Sequence, residues 1–275
     1  MKRCRPLLGT FVEIETDSAE AIDRAFAAIE RVHMLMSAHD PASELSLVNR
    51  LAHREPVTIS RWTAAVVGRS LHWAWLSGGA FDIVRAGRIA LARGALPRHP
   101  DQPQPEGADW TAVELVGQQV RLHGPACLDL GGIAKGFAVD RAIDALRSAG
   151  ATRGLVNAGG DLAGFGPQPW PVTIVDPKHR GPVAMMDLRD GALATSAGLR
   201  GPRGALTFDH LPGADRRWTS VTVRASSVCD ADALTKILWS GTPGAAALLS
   251  AAGAEAFAVR AGGGIDAIAA QALAA

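Results

Sequence analysis

Apolar and polar positions alternate from Leu8 to Thr16, the period-two pattern of a strand with one buried face. Asp17 and Glu20 follow with the spacing of a capping box. Ile22, Phe26, Ile29, Val32 and Met36 then recur close to helical spacing and predict a long amphipathic helix. Ser37 to Asn49 reads as a polar turn entering a short helix. Ser60 reads as the cap of another helix, which runs to about Leu76 and stops at Gly78-Gly79. Residues 94–109 contain Pro97, Pro100, Pro103 and Pro105 among polar neighbours, the composition of an irregular surface loop. Val113–Val116 and Val120–His123 predict a hairpin around Gly117-Gln118, followed by a strand, a Gly-rich turn and a helix over about 133–148. Short strands are expected at 154–156, 172–175, 183–188 and 218–225. A helix near 230–239, a second Ala-rich helix, a strand at 256–259 and a short tail over 263–275 complete the pattern. Hairpins mixed with helices predict an α+β fold with mostly antiparallel sheets and packed helices, with no repeat and no coiled coil.

Composition narrows the function classes. The chain has 275 residues and a formal net charge of +1, which argues against a basic nucleic-acid-binding face. No apolar run reaches membrane-span length, since Glu255 and Arg260 break the Ala-rich stretch after Gly241. The basic start at Lys2, Arg3 and Arg5 leads into a strand-like segment and not into the apolar core of a secretory signal, so a cytoplasmic protein is expected. Cys4, Cys127 and Cys229 lack metal-binding spacing, and the two flanked by apolar residues are expected to be buried thiols. Lysine occurs only at Lys2, Lys135, Lys178 and Lys236 in a chain otherwise rich in arginine. A lysine inside a motif therefore draws notice as a compact point charge.

Four segments carry candidate chemistry. In Asp129-Leu130-Gly131-Gly132-Ile133-Ala134-Lys135-Gly136 a strand meets two glycines and opens a helix, so backbone N–H groups and Lys135 could receive a phosphate. The same spacing suits a plain strand-to-helix turn with a surface lysine, and it is not a dinucleotide fingerprint. Asn157-Ala158-Gly159-Gly160-Asp161 is a ligand-facing turn or a self-satisfied one. Gly79-Ala80-Phe81-Asp82 offers a ring for stacking and a carboxylate, although Phe81 fits a core position equally well. Asp232 and Thr235 place two oxygens one turn apart, a set suited to Mg²⁺, although Asp232 alone reads as a helix cap.

In order, Leu8-Gly9-Thr10, Asp40-Pro41-Ala42-Ser43-Glu44-Leu45-Ser46 with Asn49, Gly79 to Asp82, the DLGGIAKG segment, VNAGGD, Ala194-Thr195-Ser196 and ADALTK resemble the motifs of the ApbE family of FAD:protein FMN transferases. The resemblance runs from about Pro6 to Gly262. It implies a single α+β unit, 1–275, related to tunnelling-fold domains. It implies an enzyme that binds FAD as substrate and, with Mg²⁺, transfers its FMN part to a threonine hydroxyl of a partner protein, releasing AMP. The acceptor threonine would sit in a short Asp-Gly-x-Thr/Ser-Gly-Ala-Thr-like motif. Carried over by position, the flavin contacts are Leu8, His39, Ala80, Phe81, Asp82, Asp129 and Lys135, with Thr195 on the acceptor side. The metal ligands are the Gly132 backbone oxygen, Asp232 and Thr235.

The chain departs from that family at three places. His39 stands where an aromatic ring, commonly tyrosine, is usual, and this chain has no tyrosine. The histidine segment that supplies the base is reduced to Asp209-His210-Leu211-Pro212-Gly213, with His210 the candidate base. Lys236 replaces a threonine in the metal motif, and its ammonium would repel Mg²⁺ or bind the pyrophosphate itself, so weakened Mg²⁺ dependence is expected. Two other readings accompany the transferase: an FAD pyrophosphatase yielding FMN and AMP, and a non-catalytic FAD-binding protein.

Overall fold

The computed structural model describes residues 1–99, 101–200, 206–208 and 217–269. In chain order the elements begin with strands β1 (Lys2–Leu7) and β2 (Thr10–Thr16) and helix α1 (Ala19–Met36). Then come α2 (Glu44–Leu51), β3 (Val57–Thr58), α3 (Arg61–Leu76), α4 (Ile83–Ala92), β4 (Val113–Val116) and β5 (Gln119–Leu122). After α5 (Ala134–Ser148) follow β6 (Gly154–Ala158), β7 (Asp161–Phe165), β8 (Trp170–Val175), β9 (Pro182–Leu188) and β10 (Gly191–Ala197). The chain continues through β11 (Leu199–Arg200), β12 (Leu206–Thr207), β13 (Trp218–Ala225), α6 (Val228–Trp239), α7 (Ala245–Ala251), β14 (Glu255–Arg260) and β15 (Ile265–Ile268). The mixture is α+β, as the sequence pattern predicts. Among the described residues no helix is long and apolar enough to cross a membrane.

Two compact units divide the chain: residues 1–29 with 135–275, and residues 30–134. In the first, eight antiparallel strands form one sheet in the order β1-β2-β6-β7-β10-β13-β14-β15. Helix α6 packs on β7, β10 and β13 and is buried nearly all round, from Val228 and Ala231 to Leu238 and Trp239. In the second unit α2, α3 and α4 accompany a small sheet, β3-β5-β4. There Asn49, on α2, exchanges two hydrogen bonds with the backbone of Leu128, at 2.7 and 3.0 Å, and so anchors the segment that carries Asp129. The buried thiols of Cys127 and Cys229 are free, as expected, and burial pushes Cys127 up to about 12.

Several expectations needed correction. The alternating segment is half of a hairpin, β1 having been unforeseen, and Leu8-Gly9 is its turn, with φ of 56° and 71°. Asp17 does not cap α1; Ser18 accepts the Ala21 N–H, and Asp17 accepts hydrogen bonds from Thr152. Strands β7 and β10 carry no alternating pattern, because every residue of β7 is buried and none of β10 is exposed, so both faces are covered. Helix α4 was also missed, and β15 occupies part of the expected tail. The proline-rich stretch, the β4–β5 hairpin, α5 and β13 lie where they were predicted.

One contact within the first unit sets the position of α6. Gly136 and Asp140 lie one turn apart on α5. The Asp140 carboxylate accepts the N–H groups of Val228 and Cys229, at 2.8 and 2.9 Å, at the start of α6. A Cβ on Gly136 would sit 2.4 Å from the Val228 carbonyl oxygen, so only glycine lets the two backbones meet. Gly136→Ala is therefore expected to lower the unfolding free energy by about 1–3 kcal/mol through overpacking. Urea denaturation checks this; a gain of about 1 kcal/mol, the ordinary helix-propensity benefit of alanine, would show that the backbones are not in contact.

Candidate functional site

The chemistry of the first unit gathers around α6 and the β6–β7 hairpin. The hairpin closes through Gly159-Gly160, both in the left-handed region at φ of 67° and 99°, which is the two-residue turn that favours glycine. A Cβ on Gly159 would lie 2.5 Å from Thr10 Oγ1, so the β1–β2 turn carrying Leu8 abuts this hairpin. Asn157 Oδ1 accepts the Gly160 N–H at 3.0 Å and holds the turn shut. The first residue after the turn is Asp161, whose side chain is wholly buried.

Asp161 Oδ2 accepts a hydrogen bond from the Lys135 ammonium, and its Oδ1 accepts the Thr195 N–H at 3.3 Å. On α6, Asp232 Oδ1 accepts from the ammonium of Lys236, one turn on, and the Asp232 side chain is wholly buried too. The two lysine side chains keep 27% and 25% exposure. The lysine side chains are thus partly exposed, and the carboxylates are not. Oδ2 of Asp232 is buried and makes no hydrogen bond among the described residues.

Their charges interact as one set. Burial and, after it, the neighbouring Asp232 carboxylate raise Asp161 to about 6 against the opposing pull of both ammonium groups. Burial also works against ionised Asp232, but the Lys236 and then the Lys135 ammonium outweigh it and hold Asp232 below the usual carboxylate range. Burial disfavours charge on Lys135, yet Asp232 and Asp161 raise it, so the ammonium persists. Two buried anions and two partly exposed cations leave the set neutral.

The expected pairing of Asp232 with Thr235 is not what α6 provides. Thr235 is fully buried; its hydroxyl donates to the Asp232 carbonyl oxygen at 2.7 Å and meets Ser196 Oγ at 2.7 Å. A helical threonine commonly satisfies its hydroxyl on the preceding turn in this way. Lys236, at the i+4 position, is the residue that reaches the carboxylate. Thr195 lies at the edge of the set, its hydroxyl 2.9 Å from that of Thr222. Among the described residues no group of three or more His, Cys, Asp or Glu side chains gathers as a metal centre. His210 lies outside the described residues.

The second unit brings together another part of the expected set. The Asp129 N–H donates to the Ile83 carbonyl at 2.9 Å, which joins its segment to the start of α4. Asp82 caps α4, its Oδ1 accepting the Val84 and Arg85 N–H groups at 2.8 and 3.0 Å. Phe81 is 5% exposed and belongs to the core; Ala80 is half-buried beside it. Burial raises Asp129, opposed by the Gly131 N–H and by the charge of exposed His39. The backbone amides expected to receive phosphate are largely committed. Gly131 donates to Asp129 Oδ1, Ile133 and Ala134 donate to the Leu130 carbonyl, and the Gly136 N–H faces Asp232. Gly132 is half-buried in the same turn.

The sequence marks Asp161 as part of a candidate ligand-facing turn but assigns it no role and no partner. The signal available was its place directly after two glycines and one helix away from a rare lysine. Asp161→Asn would remove the carboxylate bonded to the Lys135 ammonium and leave only Asp232 opposite it, and the unfolding free energy is expected to fall by about 3 kcal/mol. Urea denaturation of this variant checks the pairing; an unchanged midpoint would mean that the pair is exposed to solvent.

Comparison with known proteins follows the same map. The family model described as "ApbE family" matches residues 8–258. The FAD:protein FMN transferase of Treponema pallidum is 30% identical over 251 residues, covering 78% of this chain and 69% of that protein. That of Rhodobacter capsulatus is 32% identical over 232 residues; the match covers 74% of this chain and 43% of its longer relative. The crystal structure of the ApbE protein from Thermotoga maritima superposes with a TM-score of 0.84 at 25% identity, covering 98% of this chain and 96% of that one. The flavin transferase ApbE of Vibrio cholerae gives 0.83 at 24% identity, with 98% and 96% covered, a likeness of fold. On the family match and the Treponema relative, this chain belongs to the ApbE family.

Proposed function

We propose that this chain is an FAD:protein FMN transferase, which moves the FMN part of FAD to a threonine hydroxyl of a partner protein and releases AMP. The observation that carries the reading is the pair of partly exposed lysine side chains, Lys135 and Lys236, each held by a buried carboxylate. An array of this kind attracts a diphosphate and is already organised before the anion arrives, so little reorientation accompanies the reaction. The relatives that match it bear the same activity in their names. Leu8, His39, Ala80, Phe81, Asp82 and Asp129 are the proposed flavin contacts, and the two units are taken as one functional domain because the family match runs through both.

In the transfer the acceptor oxygen attacks the FMN-side phosphorus, forming one P–O bond. The bond from that phosphorus to the bridging oxygen breaks, and AMP departs with the electron pair. The hydroxyl proton passes to a base, proposed as His210. The lysines' part is electrostatic: their charge offsets the negative charge that grows on the bridging oxygen as AMP leaves.

The Mg²⁺ implied by the family resemblance fits these residues poorly. Asp232 Oδ2 lacks a partner and would suit a cation, but Oδ1 already holds an ammonium and the Thr235 hydroxyl is committed to Asp232 and Ser196. Two unit charges of like sign 4 Å apart repel by about 4 kcal/mol at an effective dielectric of 20, and a divalent ion roughly doubles that against each lysine. No step of the transfer is therefore routed through a metal.

The test is incubation of the full chain with FAD and a peptide carrying an Asp-Gly-x-Thr-Gly-Ala-Thr sequence, in buffer with Mg²⁺. Chromatography follows AMP, and fluorescence on a denaturing gel follows covalent flavin. Equal amounts of AMP and labelled peptide are expected. AMP with free FMN and no label would replace the transferase with a pyrophosphatase, and bound FAD without AMP would leave only a flavin-binding protein.

A further inference from the structure

We propose that Lys236 takes the place of a divalent cation in this chain, so that it binds the diphosphate of FAD without one. The inference rests on the functional reading above and concerns how the same site handles charge. An ammonium carries three donors. Lys236 gives one to Asp232 and Lys135 gives one to Asp161, which leaves two on each, and both lysine side chains retain about a quarter of their exposure while both carboxylates retain none. The part of this set that meets solvent belongs to the lysines and not to the carboxylates, and a cationic side chain is the complement of a diphosphate. A cation would meet the reverse: on the free Oδ2 of Asp232 it would stand beside the ammonium that Oδ1 holds, and Thr235 could not help, since its buried hydroxyl is bonded to Asp232 and Ser196. Asp232 thereby serves to aim a lysine. Lys236, in turn, is a binding residue for the phosphates.

Calorimetric titration of the full chain with FAD, once in EDTA and once in excess Mg²⁺, tests the proposal directly. Riboflavin, which has no phosphate, serves as the control. The expected result is the same FAD affinity in both buffers. Lys236→Thr should bind FAD about tenfold more weakly in EDTA and regain affinity with Mg²⁺, with riboflavin unaffected. Wild-type protein that binds FAD only with Mg²⁺ would overturn the proposal and leave the transferase reading intact. Undiminished FAD affinity of Lys236→Thr in EDTA would overturn it as well. Failure of the wild type to bind FAD in either buffer would remove both. The wild-type comparison decides the matter even if the variant does not fold.

Discussion

Two carboxylates with no exposure to solvent, Asp161 and Asp232, each hold the ammonium of a partly exposed lysine in the first unit, and the site's character follows from that arrangement. A buried carboxylate is tolerable only when a cation or several donors stand against it. Here the cation is a lysine side chain that keeps about a quarter of its exposure. The buried half fixes the geometry, and the exposed half is left for an anion.

The fold supplies the rigidity this needs. Asp161 leaves a two-glycine hairpin in the middle of an eight-stranded sheet, and Asp232 sits on a helix that is buried along nearly its whole length. Gly136 and Asp140 dock the start of that helix onto α5, the same helix that carries Lys135. One backbone contact therefore sets where both lysines stand. In the second unit Asn49 and Asp82 perform comparable service: the first fastens the segment before Asp129, and the second caps α4. Motif residues of this kind act by holding backbone in place.

Where periodicity was strong, the fold was legible. α1, α3, the β4–β5 hairpin and β13 follow directly from apolar spacing, caps and turn residues. β7 and β10 were opaque because they lie inside the sheet with both faces covered, so no alternation marks them. The site was legible as a set of motifs and much less so as a geometry. Glycine spacing around 131–136 suggested amides presented to phosphate, yet several of those amides are satisfied within their own turns. Asp232 and Thr235 looked like a cation pair because they lie on one helix face, but the hydroxyl had a nearer carbonyl to satisfy. No spacing rule reveals which of two neighbouring side chains, Thr235 or Lys236, will reach a carboxylate; packing of the helix decides it.

The central claim is that positive charge from lysine, and not from a bound ion, faces the diphosphate. A crystal of the full chain grown with FAD and Mn²⁺, an oxygen-ligated ion with anomalous scattering, tests it most directly. The account predicts phosphate oxygens at hydrogen-bond distance from Nζ of Lys135 and Lys236, with no anomalous peak at Asp232. A peak at about 2.1 Å from an Asp232 oxygen, the spacing of a bound small dication, with the Lys236 ammonium displaced, would contradict it.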